Sequence, residues 1–243
     1  MKLTRRWGIK LISFISLYML KYRENMKTLI IVDVQKDFYS PEGSLYVNYG
    51  EKIIPEIAKL IKEDNTINQV IFTVDWHTHE DQSFNISKGS WPVHCVQYTE
   101  GATIAKELLE AVWERGFKSI DGKFNGEELS LEFLKNTYDV FIKGDTPDQE
   151  EYGAFENSSN EREGIIGLSN ISEDSMSYLN PDNDLIVCGL AGDFCVLETA
   201  KNLYDIPELK GELMMFLPGI ASLDGGVKLE EWMKRLEVKA YGK

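Results

Sequence analysis

Cys195 stands in "DLIVCGLAGDFCVLETAKNL" (184–203), where an apolar run ends in a turn holding Gly189 and Gly192. Beyond the turn, Val196, Leu197, Ala200 and Leu203 take up helical spacing. The cysteine therefore falls where a strand end meets a helix start. Unpaired N–H groups and the macrodipole at a helix N-terminus favour a thiolate, and the same N–H groups can receive an oxyanion beside the sulfur. Free cysteine is also among the most buried residue types, so a core position is the competing explanation.

Two charged residues bear on the choice. Asp33 closes the apolar run "TLIIVD", and Lys143 sits near the end of "DVFIKG". A cysteine nucleophile needs a base for its proton or a cation beside its thiolate, and a carboxylate near both can pass the proton to a leaving amine. A structural ion pair between the two is the alternative. A second set lies in "DWHTHEDQSF" (75–84) and "SWPVHCV" (90–96), which contain all three histidines of the chain, His77, His79 and His94. Asp75, His77 and His94 are donors that suit zinc, and also iron or manganese.

These residues need a scaffold that gathers them. Apolar runs without alternation at 28–33, 69–75, 139–144, 184–189 and 212–217 read as strands covered on both faces. Helical patterns fall at 50–63, 103–114, 127–136, 195–204 and 228–236. Strand and helix in alternation predict an α/β fold of three layers, an open and mostly parallel β-sheet with helices on both faces. Such sheets bind ligands beyond the carboxyl ends of their strands. Asp33, Asp75, Lys143 and the Cys195 turn all fall there.

A chain of 243 residues suits one large domain, taken here as 27–243. Residues 1–27 carry seven basic side chains against Glu24, a net of +6, which leaves −20 for the rest of a chain whose net charge is −14. A body that acidic repels nucleic acid and anionic membrane, so neither is expected as its partner. Residues 1–26 form an N-terminal extension with three readings: a signal-like segment, an apolar run too short to span a bilayer, or a sequence preceding a true start at Met26. Three cysteines (Cys95, Cys188, Cys195) without CxxC spacing fit a reducing, cytoplasmic setting.

"TLIIVDVQKDF…GSL", "DWHTHEDQSF", "WPVHCVQYTEGA", "KG…YGAF" and "GLAGDFCVLETA" together resemble the isochorismatase-like cysteine hydrolases, in matching order over residues 27–205. The DWH and WPVHCV pair is similar to the nicotinamidase branch, because many relatives lack that metal motif. The resemblance implies an amidohydrolase that converts nicotinamide and water to nicotinate and ammonia in NAD salvage, with pyrazinamide as an expected second substrate. It implies Asp33 as general base, Lys143 as stabiliser of the thiolate, and Cys195 as the nucleophile that forms a thioester. A cis peptide at Leu190–Ala191 would set an oxyanion hole from the N–H groups of Ala191 and Cys195. One divalent metal ion would bind the ring nitrogen and hold the ring against Phe38 and Trp91, while Tyr152 and Phe155 close the pocket. Self-association is common in the superfamily, which implies a homo-oligomer.

Two positions depart from the family pattern. Asp81 stands where D-W-H-x-x-x-H-x-S-F has its second histidine, so the implied metal set is Asp75, His77, Asp81 and His94, with Glu80 as the alternative to Asp81 and His79 out of register. A carboxylate there hardens the site and favours manganese or iron over zinc. Gly192 replaces the usual small hydroxyl residue of the G-x-A-T-D turn, which is expected to loosen substrate positioning. The acidic stretch 145–174 reads as a long surface loop beside the site, with a lid as its other reading.

Overall fold

The computed structural model describes residues 26–117, 139–145, 147, 151–155 and 179–242. The helix expected at 127–136, nearly all of the N-terminal extension and most of 145–174 lie outside the described residues.

The apolar runs form six strands: β1 (Lys27–Val32), β2 (Ile67–Asp75), β3 (Asp139–Lys143), β4 (Asp184–Gly189), β5 (Leu213–Ile220) and β6 (Lys239–Ala240). They pair in the order β3-β2-β1-β4-β5-β6, and every pair is parallel. Parallel neighbours need crossovers, and the described helices supply them: α1 (Lys36–Tyr39), α2 (Gly50–Glu63), α3 (Lys106–Glu114), α4 (Cys195–Tyr204) and α5 (Val227–Leu236).

Side chains alternate across β1, so each face of the sheet has its own core. Leu29 and Ile31 join the core built with Ile53, Ile54, Ile57 and Ile61 of α2 and Leu108 and Val112 of α3. Ile30 and Val32 join the opposite core, with Val196, Ala200 and Leu203 of α4 and Leu229 and Trp232 of α5. The one-sided apolar stripe of α2, at spacings of three and four, is what directs that helix onto the sheet.

The chain runs outward from β1 to β3 on one side, then returns to lay β4 against the other side of β1. The order reverses at β1 and β4, and a crevice opens above their carboxyl ends. Gly189 allows the close approach there, since a Cβ on it would fall onto the Val32 carbonyl.

Several boundaries differ from the sequence expectation. Helix α3 begins at Lys106 and not at 103, because Ile104 bridges to Gln35 and the Ala105 N–H donates to the Val34 carbonyl at 2.9 Å, which holds this stretch extended. Strand β5 runs on through Pro218 and Gly219, residues that ordinarily end a strand, to pair Ile220 with Gly189 past a register shift. The short α1 and the two-residue β6 carry no periodic signal of their own.

Ile57 is fully buried between α2 and the sheet. Ile57→Ala is expected to lower unfolding free energy by about 3 kcal/mol, read from the urea midpoint at constant slope.

Candidate active site

Three adjacent strands deliver three charges to one point. Register pairs Asp75 with Lys143 across β2 and β3, and Val32 with Thr73 across β1 and β2. Asp33 follows in a left-handed conformation (φ 48°), and its N–H donates to the Thr73 carbonyl at 3.2 Å. The Thr73 hydroxyl donates to Asp33 Oδ1 at 2.6 Å. Lys143 is fully buried, and its Nζ meets Asp33 Oδ2 at 2.8 Å, Asp75 Oδ1, and Cys195 Sγ at 3.6 Å. Asp33 Oδ2 faces that ammonium but accepts no hydrogen bond of good geometry among the described residues. One carboxylate oxygen of Asp33 lies within 4.8 Å of Cys195 Sγ.

Charge settles the resting proton positions. Burial raises the Asp33 pKa to about 6, against the pull of Lys143. For Asp75 burial also pushes upward, but Lys143 and the two neighbouring histidines outweigh it and hold the carboxyl below its ordinary value. Burial pushes Lys143 down, and the two carboxylates more than reverse that, so it stays charged. Burial raises the Cys195 thiol well above its ordinary value, more than Lys143 lowers it. The thiol is therefore protonated at rest, with Asp33 the nearby group able to take its proton.

Cys195 is the first residue of α4, as its helical spacing predicts. Leu190–Ala191 is a cis peptide bond. The turn is tied to the loop after β5 by Gly192 N–H to the Ala221 carbonyl at 2.8 Å and by Leu223 N–H to Asp193 Oδ1 at 2.9 Å. A Cβ at residue 192 would collide with the Ser222 hydroxyl and lie 2.7 Å from Ile220 Cγ2, so glycine here packs closely against the loop after β5.

Beyond β2, the His77 N–H donates to the Cys95 carbonyl at 3.1 Å and the Gln97 N–H to the His77 carbonyl at 2.9 Å. This short parallel pairing brings His77 beside His94, ring centroids 5.0 Å apart, with Phe84 edge-on to both. Gly144 (φ 69°) leaves the room, since its Cβ would stand 2.7 Å from His77 Cε1. His77 Nδ1 is matched to Asp81 Oδ2 at 3.1 Å and His94 Nδ1 to the Pro92 carbonyl at 2.7 Å. Both Nε2 atoms turn instead toward Asp75 Oδ2, at 3.6 and 3.8 Å.

Donor atoms of Asp75, His77 and His94 lie within 4.8 Å of one another and are buried. Two imidazole lone pairs and a carboxylate oxygen facing one point suit a divalent cation. Burial lowers the His77 pKa, but Asp75 and Asp81 raise it to about 9, whereas burial holds His94 below its ordinary value with His77 and Lys143 adding to the shift. The residues present fit a metal ion.

The expectation of Asp81 as a fourth ligand is corrected. Its carboxylate is engaged by His77 Nδ1 and by the Ser83 N–H and hydroxyl, at 2.9 and 2.7 Å, which places it behind the imidazole and outside the converging donors. Glu80 is exposed and His79 is not among those donors either.

Phe38, Trp91, Tyr152, Ala191 and Cys195 line one cavity with Asp75, His77 and His94. The Trp91 Nε1–H donates to the Tyr152 hydroxyl at 3.0 Å. Phe155 is a second correction: it is fully buried against Phe141, ring centroids 4.7 Å apart, and does not line the cavity. The Ala154 N–H to Thr199 Oγ1 and the Asn202 amide to the Ala154 carbonyl tie this turn to α4 and direct Phe155 into the core. Leu190 is likewise core and contributes backbone alone. Sequence reasoning missed Phe194, Leu223, Ser83 and Glu151 in the cavity wall. Phe194 precedes the cysteine and carried a signal by adjacency; Glu151 was hidden in an acidic stretch.

No protein-family model matches the chain. It is 28% identical over 202 residues to the nicotinamidase of Saccharomyces cerevisiae, covering 72% of this chain and 80% of that protein. Among solved structures it superposes on PnC1 from L. infantum in complex with nicotinate, with TM-score 0.65, 25% identity and coverage of 89% of this chain and 92% of that one. The pyrazinamidase of Pyrococcus horikoshii in complex with zinc gives TM-score 0.62, 25% identity and coverage of 88% and 97%. The all-parallel sheet is that of the isochorismatase-like α/β class. The amidohydrolases of this class include the matched proteins. The chain is similar to these nicotinamidases in sequence and in fold, which supports an amidohydrolase enzyme.

The position of Asp81 is testable. Asp81→Ala is expected to weaken zinc binding to metal-stripped protein about 10–100-fold, and Asp75→Ala by far more. Equal losses in a zinc titration would return Asp81 to the ligand set.

Proposed function

We propose that this protein hydrolyses nicotinamide to nicotinate and ammonia through a thioester on Cys195. The observation that carries the reading is one cavity whose wall holds both the Cys195 thiol, with Asp33 and Lys143 buried beside it, and the three cation donors Asp75, His77 and His94. Cavity walls of Phe38, Trp91, Tyr152 and Phe194 suit a flat aromatic ring.

In this reading Asp33 takes the thiol proton as Cys195 Sγ attacks the amide carbon. Lys143 offsets the negative charge that appears on sulfur. The N–H groups of Ala191 and Cys195 receive the oxyanion. Asp33 returns the proton to the amide nitrogen, the C–N bond breaks and ammonia leaves. Asp33 then takes a proton from water as it attacks the thioester, and the acid departs with the thiol restored. A divalent ion held by Asp75, His77 and His94 would supply Lewis acidity to a ring nitrogen.

Nicotinate so formed would enter pyridine-nucleotide salvage. The free, buried Cys95, Cys188 and Cys195 support a reducing setting such as the cytoplasm. Among the described residues no helix is long and apolar enough to cross a membrane.

Ammonia release from nicotinamide by purified protein tests the reading. Activity is expected to vanish on chelation and to return with added zinc, iron or manganese. Cys195→Ala is expected to lose about 10⁴-fold in kcat. No ammonia from metal-loaded wild type would remove nicotinamide as the substrate. Pyrazinamide, which offers a ring nitrogen in the same relation to its amide, is expected to be cleaved too; absence of pyrazinoic acid among the products would refute this.

A further inference from the structure

Two polar side chains near the metal donors have no role in the chemistry above. Gln35 and Asp37 follow Asp33 by two and four residues, in the segment that leaves β1. Gln35 is fully buried. Its Oε1 accepts the Asp75 N–H at 2.8 Å, and its Nε2 donates to the Asp75 carbonyl at 2.7 Å and to the Ala102 carbonyl at 3.0 Å. One side-chain amide thus grips both backbone groups of a single residue.

Asp37 does the same work one loop away. Its Oδ2 accepts the Cys95 N–H at 2.8 Å, and its Oδ1 accepts the Ser44 N–H at 3.2 Å. The Cys95 N–H belongs to the peptide that joins it to His94. Cys95 has φ 43°, a left-handed conformation that a non-glycine residue seldom adopts unaided. Phe38, next in the chain, sets its ring 5.3 Å from the His94 ring. The Asp37 carboxylate fits because residue 101 is glycine, where a Cβ would fall onto the carboxylate.

We propose that Gln35 and Asp37 are positioning residues of the cation centre. Gln35 fixes the backbone of Asp75, and Asp37 fixes the 94–95 peptide and through it His94. Neither reaches the cation. With Asp81 behind His77, each of the three donors then has its own dedicated support. The six-residue segment from Asp33 to Phe38 therefore serves both halves of the site, the proton acceptor at one end and the metal loop at the other. The inference rests on the reading that Asp75, His77 and His94 hold a divalent metal.

The test uses metal-stripped full-length protein and zinc alone, titrated in competition with a chromophoric chelator. The variants are Asp37→Ala, Asp37→Asn and Gly101→Ala, the last of which displaces the carboxylate without altering it. Zinc affinity is expected to fall about 10–100-fold in Asp37→Ala and Gly101→Ala. Asp37→Asn is expected to fall less, because its amide oxygen still accepts from Cys95. Alkylation of Cys195 by iodoacetamide in the metal-free proteins, followed site by site by mass spectrometry, is expected to stay within about twofold of wild type, since Asp33 and Lys143 are untouched. Should Asp37→Ala fail to fold, Gly101→Ala and Asp37→Asn carry the comparison. Wild-type zinc affinity in these variants would overturn the inference. So would equal losses of zinc affinity, alkylation rate and unfolding temperature in all three, which would mark a general packing role. A wild type that binds no zinc would remove the metal reading itself, and this inference with it.

Discussion

A buried ammonium with a single point of balance organises this molecule. Taking Lys143 out of water costs several kcal/mol unless opposite charge meets it, and one carboxylate would leave it poorly satisfied. Asp33 and Asp75 both reach it, and Cys195 sits 3.6 Å away. The arrangement requires β1, β2 and β3 to lie side by side with their ends in register, which the Val32–Thr73 and Asp75–Lys143 pairings provide. Asp75 extends the arrangement in the other direction. One of its oxygens faces Lys143 while the other faces the Nε2 atoms of His77 and His94. A single carboxylate therefore joins the surroundings of Cys195 to the cation donors.

The surrounding structure supplies orientation. Backbone pairing of 77 with 95–97 sets the two imidazoles together, and acceptors on each Nδ1 fix which nitrogen faces inward. Glycines at 144, 189 and 192 stand where neighbouring atoms leave no room for a Cβ. The rings of Phe38, Trp91, Tyr152 and Phe194 form much of the remaining cavity wall, with Lys228 of α5 seated 4.6 Å over the Phe194 ring.

Much of this was legible in the chain, for identifiable reasons. Buried parallel strands leave unbroken apolar runs, so the five principal strands and their polar ends stood out. The helices 50–63 and 195–204 were found at their observed bounds because one-sided burial imposes a period. Asp33, Asp75, Lys143, His77, His94 and Cys195 fell at strand ends or in the loops beyond them, where chemistry-bearing residues attract notice. What stayed hidden was orientation within loops. Asp81 and Phe155 each occupy a plausible position along the chain, but local hydrogen bonds turn one behind His77 and the other into the core. Those bonds have no period and leave no compositional trace. The same is true of Gln35 and Asp37, whose partners lie 40 and 58 residues away.

The reversal of strand order at β1 and β4 has a consequence for the order in which the protein assembles. Asp33, Asp75, His77, His94 and Lys143 all belong to β1, β2, β3 and their loops, whereas Cys195 follows β4. A chain emerging from the ribosome can bring its acids, imidazoles and lysine together before the sulfur has been synthesised. Pairing of β4 with β1, a contact between segments far apart in sequence, is the event that delivers the thiol, and such contacts come at an entropic cost that local ones avoid. Intermediates that hold only the first half of the sheet thus lack Cys195, and the full cluster is complete only when the two halves close.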